Sequence, residues 1–230
     1  MKILAIETAT DACSAALWID GQIDTVFEIA PRQHTQLILQ QIETVLANAE
    51  IKLTALDALA FGCGPGAFTG LRIAAGVTQG LALAADIPAI AVSSLAAMAQ
   101  QAYQKYQHEK IYVGLDARMQ QVYWGEYHIQ DGYSVLQGKE QVIAPQALTD
   151  CDKQGFVGIG SAWQVYQQAL EAKVNAESNT VLQTIYPSAE QVAYLAVSQY
   201  RQNQYLYAGE IQPVYLRNKV AQTLIERSKA

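Results

Sequence analysis

The chain has 230 residues, of which 51% are hydrophobic and 16% are charged. That balance is enough to bury one large core or two smaller ones, and it argues against a disordered chain. The net charge is −6 and the pI is about 5.0. Because Lys and Arg form no cluster, the composition argues against a protein that binds RNA or DNA by itself.

Three cysteines, Cys13, Cys63 and Cys151, lie far apart in the sequence. An odd number at such spacing favours neither a disulfide framework nor a zinc site and is typical of a reducing cytosol. No apolar run approaches the roughly 20 residues of a membrane span, and the N-terminal MKILAIETAT turns polar too soon for a signal peptide. We therefore expect a soluble, cytoplasmic protein with no membrane partner.

The first half of the chain opens on a predicted meander of three strands. Asp20-Gly21 is a strong hairpin signal between the second and third of them. Further on, apolar residues recur at helical spacing, and the continuously apolar LDALAFGC predicts a strand buried on both faces. The series predicts strands at 2–8, 12–19, 22–30, 56–63 and 88–92, with helices at 36–49, 70–85 and 94–106.

The second half repeats this opening. Its first strand ends on an acid, Asp116, as the first strand of the chain ends on Glu7, and a tryptophan lies on each second strand (Trp18 and Trp124). The pattern predicts a weak internal duplication with a boundary between 1–107 and 108–230; alternatively, two unrelated hairpins look alike. The predicted elements are strands at 111–116, 121–129 and 155–160 and helices at 162–173 and 188–203.

Two tandem lobes that each begin with a meander indicate an α/β fold with mixed sheets and flanking helices. This arrangement resembles the two-lobed actin, sugar-kinase and Hsp70-like (ribonuclease-H-like) fold, which we therefore expect. ILAIETATDACSAALW, the block GCGPGAFTGLRIAAGVTQGLALAADIPAIAVSSLAAMA, GLDARMQQVYWGEY and PVYLR together resemble the TsaB (YeaZ) family. The resemblance runs from residue 2 to about 217, and it is loosest over about 138–185.

The resemblance implies a function in tRNA modification. It implies a non-catalytic subunit of the complex that adds threonylcarbamoyl to the adenosine 3′ of the anticodon in tRNAs reading ANN codons. The expected partners are a TsaD-like catalytic subunit and a TsaE-like ATPase, with a homodimer when the chain is alone and with tRNA met only inside the complex. The alternative is a metal- or ATP-dependent enzyme of the same fold, either a glycoprotease-like peptidase or a transferase.

The glycine-rich segment GCGPGAFTGLR could cradle a phosphate at the start of a helix. However, no Lys follows its glycines, as a P-loop requires, and Thr69 stands where a dinucleotide-binding loop needs its third glycine. A structural interpretation is favoured, in which Pro65-Gly66 forms a turn and Thr69 caps the following helix. We predict no cofactor-binding residue here.

The helix after this loop carries Gly76, Gly80 and Ala84 at intervals of four. Helical glycines cost roughly 1 kcal/mol each relative to Ala, which predicts close approach of another element, either the chain's own sheet or a partner helix. The resemblance favours a partner, since TsaB-like proteins pair with TsaD through a bundle of first-lobe helices. The predicted partner interface comprises Leu37, Ile38, Arg72, Gly76, Val77, Gly80 and Ala84.

Catalytic machinery is not evident in the sequence. The chain has three histidines, His34, His108 and His128, and no two of them lie at the short spacing by which one helix supplies two metal ligands. The resemblance implies that the His-x-x-x-His metal ligands of TsaD fall here on Ser94 and Met98, which cannot replace them. We therefore predict neither catalytic nor metal-binding residues.

Four other residues receive structural interpretations. Glu7 and Asp116 stand where related kinases place acids that position Mg²⁺ or water, but Glu7 is expected to accept hydrogen bonds from turn N–H groups instead. His34 is expected to face solvent or cap a helix, and Trp18, like Met98, to lie in the core.

Overall fold

Each half of the chain forms a five-stranded mixed sheet in the computed structural model, which describes residues 1–149, 155–174, 181–182 and 185–217. The first sheet has the order β3-β2-β1-β4-β5 and the second has the order β10-β9-β6-β7-β8. The first half comprises β1 Lys2–Glu7, β2 Ala12–Ile19, β3 Gln22–Ile29, α1 His34–Asn48, β4 Ala58–Gly64, α2 Phe68–Ala85, β5 Ala89–Ser93 and α3 Ser94–Tyr106. The second half comprises β6 Lys110–Asp116, β7 Val122–Gln130, β8 Tyr133–Ile143, β9 Phe156–Ile159, α4 Ala162–Val174, β10 Val181–Leu182 and α5 Ala189–Arg201.

Both predicted meanders are confirmed. β1, β2 and β3 pair antiparallel in sequence order, and β4 adds to β1 in parallel. β6, β7 and β8 repeat the same arrangement, with β9 parallel to β6. The α/β fold of two mixed sheets with flanking helices is therefore the one that the sequence predicts.

The first sheet is covered on both faces, which explains the apolar character of its strands. On β1, Leu4 and Ile6 pack into the cluster that holds α1 and α2. Ile3 and Ala5, which alternate with them, pack instead against α5. α5 follows the second sheet in the chain yet returns to the first, where the Ala189 N–H donates to Ser14 Oγ over 2.9 Å.

α3 lies between the two sheets. Its Ala97 packs in the cluster of the first sheet, whereas Met98 packs in the cluster of the second. Met98 is fully buried, so its predicted place in the core is confirmed, and Trp18 packs against the first-sheet cluster at its partly exposed border. The boundary at 107/108 falls between the strands of the two sheets and stays a prediction.

Two local predictions are wrong. α2 begins at Phe68 after an N-cap residue, Ala67, that makes no side-chain cap, so Thr69 lies inside the helix. The reason is that the Ala67 N–H donates to the Ala9 carbonyl over 2.7 Å, which anchors the loop so that the helix starts at once. His34 is buried rather than solvent-facing, with Nε2 2.8 Å from the Thr10 carbonyl oxygen.

The described helices include none with the length and apolar character needed to cross a membrane. Cys151 lies outside the described residues.

Two glycines of α2 have opposite environments and give a matched test of the fold. A Cβ on Gly70 would lie 1.9 Å from the Thr8 carbonyl oxygen, whereas a Cβ on Gly76 would meet no atom within 4 Å. Gly70→Ala is expected to lower the free energy of unfolding by about 3 kcal/mol, because backbone must move. Gly76→Ala is expected to raise it by about 1 kcal/mol, since alanine is the better helix former.

Urea unfolding followed by circular dichroism measures both variants. Equal effects of the two substitutions would contradict the close contact between the first turn of α2 and the turn after β1.

Candidate partner interface

The outward face of α2 carries almost no side chain. Gly76, Gly80 and Ala84 are all exposed, and a Cβ at either glycine would meet open space. Leu83 beside them is 75% exposed. The glycines therefore do not serve packing on the chain's own sheet, which leaves the face open to another molecule.

The buried face of α2 is formed by other residues of the helix. Leu71, Ala74 and Ala82 are at most 2% exposed, and Val77, which sequence reasoning placed in the interface, is half-buried and packs against the same core. Val77 can thus border the outward face of α2 but does not form its centre.

α1 lies on the same side of the first sheet as α2 and packs in the same cluster. Ile38 is 1% exposed and belongs to the core, so this predicted interface residue points inward. Leu37 is half-buried, and its neighbour Leu39 is 52% exposed. Leu39 and Leu83 are exposed leucines of α1 and α2 that the sequence prediction omits, and each directly neighbours a residue that it includes, Ile38 and Ala84 respectively.

Arg72 sits on the first turns of α2 in a small exposed cluster. Its Nε donates to the Tyr215 hydroxyl over 3.1 Å, and its guanidinium lies over the Phe68 ring, 3.9 Å from the centroid. The rings of Phe68 and Tyr215 are 5.3 Å apart between centroids. Among the predicted interface residues, Arg72 therefore has a side chain held by specific contacts, one to a hydroxyl and one to an aromatic ring.

Glu7 ends β1 in a fully buried position. Its Oε1 accepts from the Ala9 N–H over 2.6 Å, as predicted, and its Oε2 accepts from the Ser94 hydroxyl over 2.8 Å. A Cβ on Gly62 would lie 1.9 Å from Oε2, so this glycine of the loop motif makes room for a carboxylate. Burial raises the pKa of Glu7, and the hydrogen bonds from Ala9 and Ser94 oppose that rise only in part.

Asp116, the corresponding acid of the second half, is also occupied by its own chain. It accepts from the Arg118 N–H over 2.9 Å and forms an ion pair with the Arg118 guanidinium at 3.3 Å. It also accepts from the Tyr166 hydroxyl over 3.3 Å. Both strand-end acids thus hold turns and helices in place.

A cavity of about 530 Å³ lies between these two strand ends. Thr10 and Asp11 line it from the first half, and Arg118 lines it from the second. The turn 118–120 on its rim has three consecutive residues in the left-handed region, with φ between 55° and 59°, each costing roughly 1–2 kcal/mol. Arg217 holds this turn by donating to the Arg118 carbonyl over 3.2 Å and to Gln121 Oε1 over 2.6 Å.

The helix that carries metal ligands in TsaD-like proteins is α3 by the resemblance. Ser94 at its start is committed to Glu7, and Met98 is 0% exposed in the core. Over the described residues, no three side chains of His, Cys, Asp or Glu come together as a metal site.

Comparisons with known proteins give a matching family model and matching full-length relatives. The family model of TsaD, the tRNA N6-adenosine threonylcarbamoyltransferase, matches residues 25–224. The tRNA threonylcarbamoyladenosine biosynthesis protein TsaB of Escherichia coli (strain K12) is 40% identical to this chain, over 96% of each. The chain belongs to the TsaB family. The TsaB protein of Haemophilus influenzae is 38% identical, over 96% of this chain and 95% of its own.

The solved structures of TsaB-family relatives show the same fold. YeaZ from Pseudomonas aeruginosa superposes with a TM-score of 0.88 at 39% identity, over 94% of this chain and 99% of its own. A second structure, of an uncharacterized protein with similarity to peptidase YeaZ from Pseudomonas aeruginosa, gives a TM-score of 0.87 at 38% identity with the same coverage. The fold of this TsaB-family chain is therefore that of the YeaZ structures.

The buried Glu7 carboxylate predicts an unusual dependence of stability on pH. Because its pKa is raised above 4.5 in the folded state, the folded protein holds this proton more tightly than the unfolded chain, so Glu7 reduces stability progressively as pH rises above 4.5. In Glu7→Gln the amide oxygen can still accept from the Ala9 N–H and the amide nitrogen can donate to the Ser94 hydroxyl oxygen, but the side chain cannot ionise. We expect the variant to gain in free energy of unfolding relative to the wild type as pH increases.

Denaturant unfolding at several pH values between 4 and 8 measures this difference. Glu43→Gln, at an exposed position of α1, is the control and should change stability by no more than about 0.5 kcal/mol. A difference between Glu7→Gln and the wild type that is constant over this range would contradict the buried, ionised carboxylate.

Proposed function

We propose that this chain is a non-catalytic subunit of the cytoplasmic complex that installs threonylcarbamoyl on tRNA. It binds and organises a TsaD-like catalytic subunit, which adds the group to the adenosine 3′ of the anticodon in tRNAs reading ANN codons. A TsaE-like ATPase is a further partner, and the chain forms a homodimer when alone. The relatives at 38–40% identity over nearly the whole chain, named for the biosynthesis of this modification, support the proposal.

The open face of α2 is the observation that carries the binding role. A Cβ added to Gly76 or Gly80 would meet no atom within 4 Å, so another helix can approach this backbone closely. The cost of these glycines, roughly 1 kcal/mol each, is not offset by contacts inside the chain, and a partner helix would supply those contacts. Leu39 and Leu83 then provide apolar area on the two helices, at 52% and 75% exposed.

The residues found at the positions of the TsaD metal ligands support the non-catalytic role. Ser94 hydrogen-bonds Glu7 across 2.8 Å, and Met98 fills the core between α3 and the second sheet. These two side chains serve the fold, and neither is a ligand for a hard or borderline cation. The alternative of a metal-dependent peptidase would need ligands from elsewhere.

The negative net charge of the chain is consistent with binding of tRNA by the assembled complex and not by this chain alone. A protein of net charge −6 is repelled by the phosphate backbone unless basic groups form a patch. We therefore propose that tRNA is bound by the assembled complex, with the basic surface supplied by partner subunits.

Co-purification tests the proposed function directly. The tagged chain, expressed in its own organism, should retain the TsaD homologue through size-exclusion chromatography. Depletion of the chain should lower the tRNA content of threonylcarbamoyladenosine, measured by mass spectrometry of digested tRNA. Failure to bind the TsaD homologue together with unchanged modification would overturn the proposal.

A bulky side chain in the glycine face should separate pairing from folding. Gly80→Leu places four carbons where a partner helix must come close, so we expect at least a tenfold loss of affinity for the TsaD homologue. The isolated variant should melt within about 3 °C of the wild type, because the position faces solvent. Calorimetry of binding and of unfolding measures the two quantities.

Gln168→Leu is the matched control, since it adds the same side chain at an exposed position of α4 and should leave affinity unchanged. If Gly80→Leu melts far below the wild type while the remaining folded protein binds normally, the glycine serves only the fold and the proposed interface is wrong.

A further inference from the structure

The exposed row of α2 extends beyond its glycines. Phe68, Arg72, Gly76, Gly80 and Ala84 follow one another at intervals of four, and all five are exposed. On an α-helix such residues form one continuous ridge. A partner helix lying along the glycines therefore reaches Phe68 and Arg72 at the N-terminal end of α2.

Tyr215 joins this end of the ridge from 143 positions further along the chain. The segment that carries it is fixed on both sides. The Val214 N–H donates to the Cys63 carbonyl over 2.8 Å, and Arg217 donates to Gln121 Oε1 over 2.6 Å. The tyrosine ring is therefore held in position before any partner arrives, which lowers the entropic cost of binding.

The three side chains leave a positive charge without an acidic partner. Among the described residues, Arg72 contacts the Phe68 ring and the Tyr215 hydroxyl and makes no ion pair with a carboxylate. The N-terminus of α2 adds a partial positive charge at the same end. Arg72 is thus a cation at this end of α2 that can pair with an acidic group of another molecule.

The aromatic side chains of the cluster are also partly exposed to solvent. Phe68 is 38% exposed and Tyr215 is 40% exposed. Arginine and tyrosine are among the residue types that carry most of the binding energy at protein interfaces. The planar guanidinium of an arginine stacked on an aromatic ring is moreover pre-organised to bind a carboxylate.

We propose that Phe68, Arg72 and Tyr215 form an anchor that receives an acidic side chain of the helix that the partner lays along α2. The anchor rests on the proposed function. It adds a polar, charge-specific contact to the small and apolar side chains of the α2 ridge. The glycines allow close approach, and the anchor fixes the register and direction of the partner helix, because only one end of α2 carries the charge.

Binding to the TsaD homologue at several salt concentrations tests the anchor. Arg72→Gln should weaken binding about five- to twentyfold at low salt, since a charge-assisted contact is lost, and should flatten the decrease of affinity with added salt. Tyr215→Ala should weaken binding to a similar extent. Tyr215→Phe keeps the ring but not the hydroxyl bonded to Arg72, and should fall between Tyr215→Ala and the wild type.

Two substitutions far from α2 serve as controls. Arg201→Gln, in the last turn of α5, and Tyr106→Ala, at the end of α3 with 49% of the side chain exposed, should leave both affinity and salt dependence unchanged. Circular dichroism and melting curves confirm that each variant is folded.

The outcomes separate this proposal from the proposed function. If the wild type binds and Gly80→Leu does not, while Arg72→Gln and Tyr215→Ala bind like the wild type, the anchor is wrong and the accessory role stands. If the wild type does not bind the TsaD homologue, both fail. A loss in Arg72→Gln with an unaltered salt dependence would also overturn the anchor, because the contact would then not be electrostatic.

Discussion

The turn after β1 determines where α2 lies, and the remaining features of the outward surface depend on that placement. The Ala67 N–H meets the Ala9 carbonyl, the Thr8 hydroxyl donates to the Gly70 carbonyl over 2.8 Å, and Gly70 has no side chain to separate the two segments. These contacts hold the first turn of the helix, which has no N-cap side chain. Held in this way, α2 buries Ala74, Ala75 and Ala82 and turns Gly76 and Gly80 outward.

Buried polar groups serve the same architecture at the ends of the strands. The Glu7 carboxylate joins the end of β1 to the start of α3, and Gly62 leaves the space that it occupies. Asp116 performs a related task in the second half, where it holds the turn at Arg118 and the hydroxyl of α4 Tyr166. Both carboxylates are thus satisfied by groups of their own chain.

Much of this fold could be predicted from the sequence, because strand alternation and hairpin signals are local. Asp20-Gly21 lies at the turn between β2 and β3, and the apolar run of β4 is buried on both faces as expected. The errors came from contacts between distant segments. His34 is buried because it reaches carbonyls of the β1–β2 connection, and Thr69 is not a cap because the Ala9 carbonyl anchors the loop.

The candidate interface was predictable only in part, for a related reason. The spacing of Gly76, Gly80 and Ala84 locates the open ridge, but helical periodicity does not tell which apolar residue of α1 faces inward. The prediction names Ile38, which is buried, and omits Leu39, which is exposed. Tyr215 belongs to the PVYLR segment that carries the family resemblance, but nothing local in the sequence connects it to a helix 143 positions earlier.

The return of α5 to the first sheet has a consequence for synthesis on the ribosome. Ile3, Ala5 and Ala16 are buried against Val192 and Ala193, yet those two residues are made only after the whole second sheet. Until α5 has emerged, one apolar face of the first sheet has no cover from it, however complete α1 and α2 already are. In the nascent chain this apolar face of the first sheet therefore lacks its α5 cover until late in translation. Exposed apolar surface of this type is prone to aggregation and is bound by chaperones.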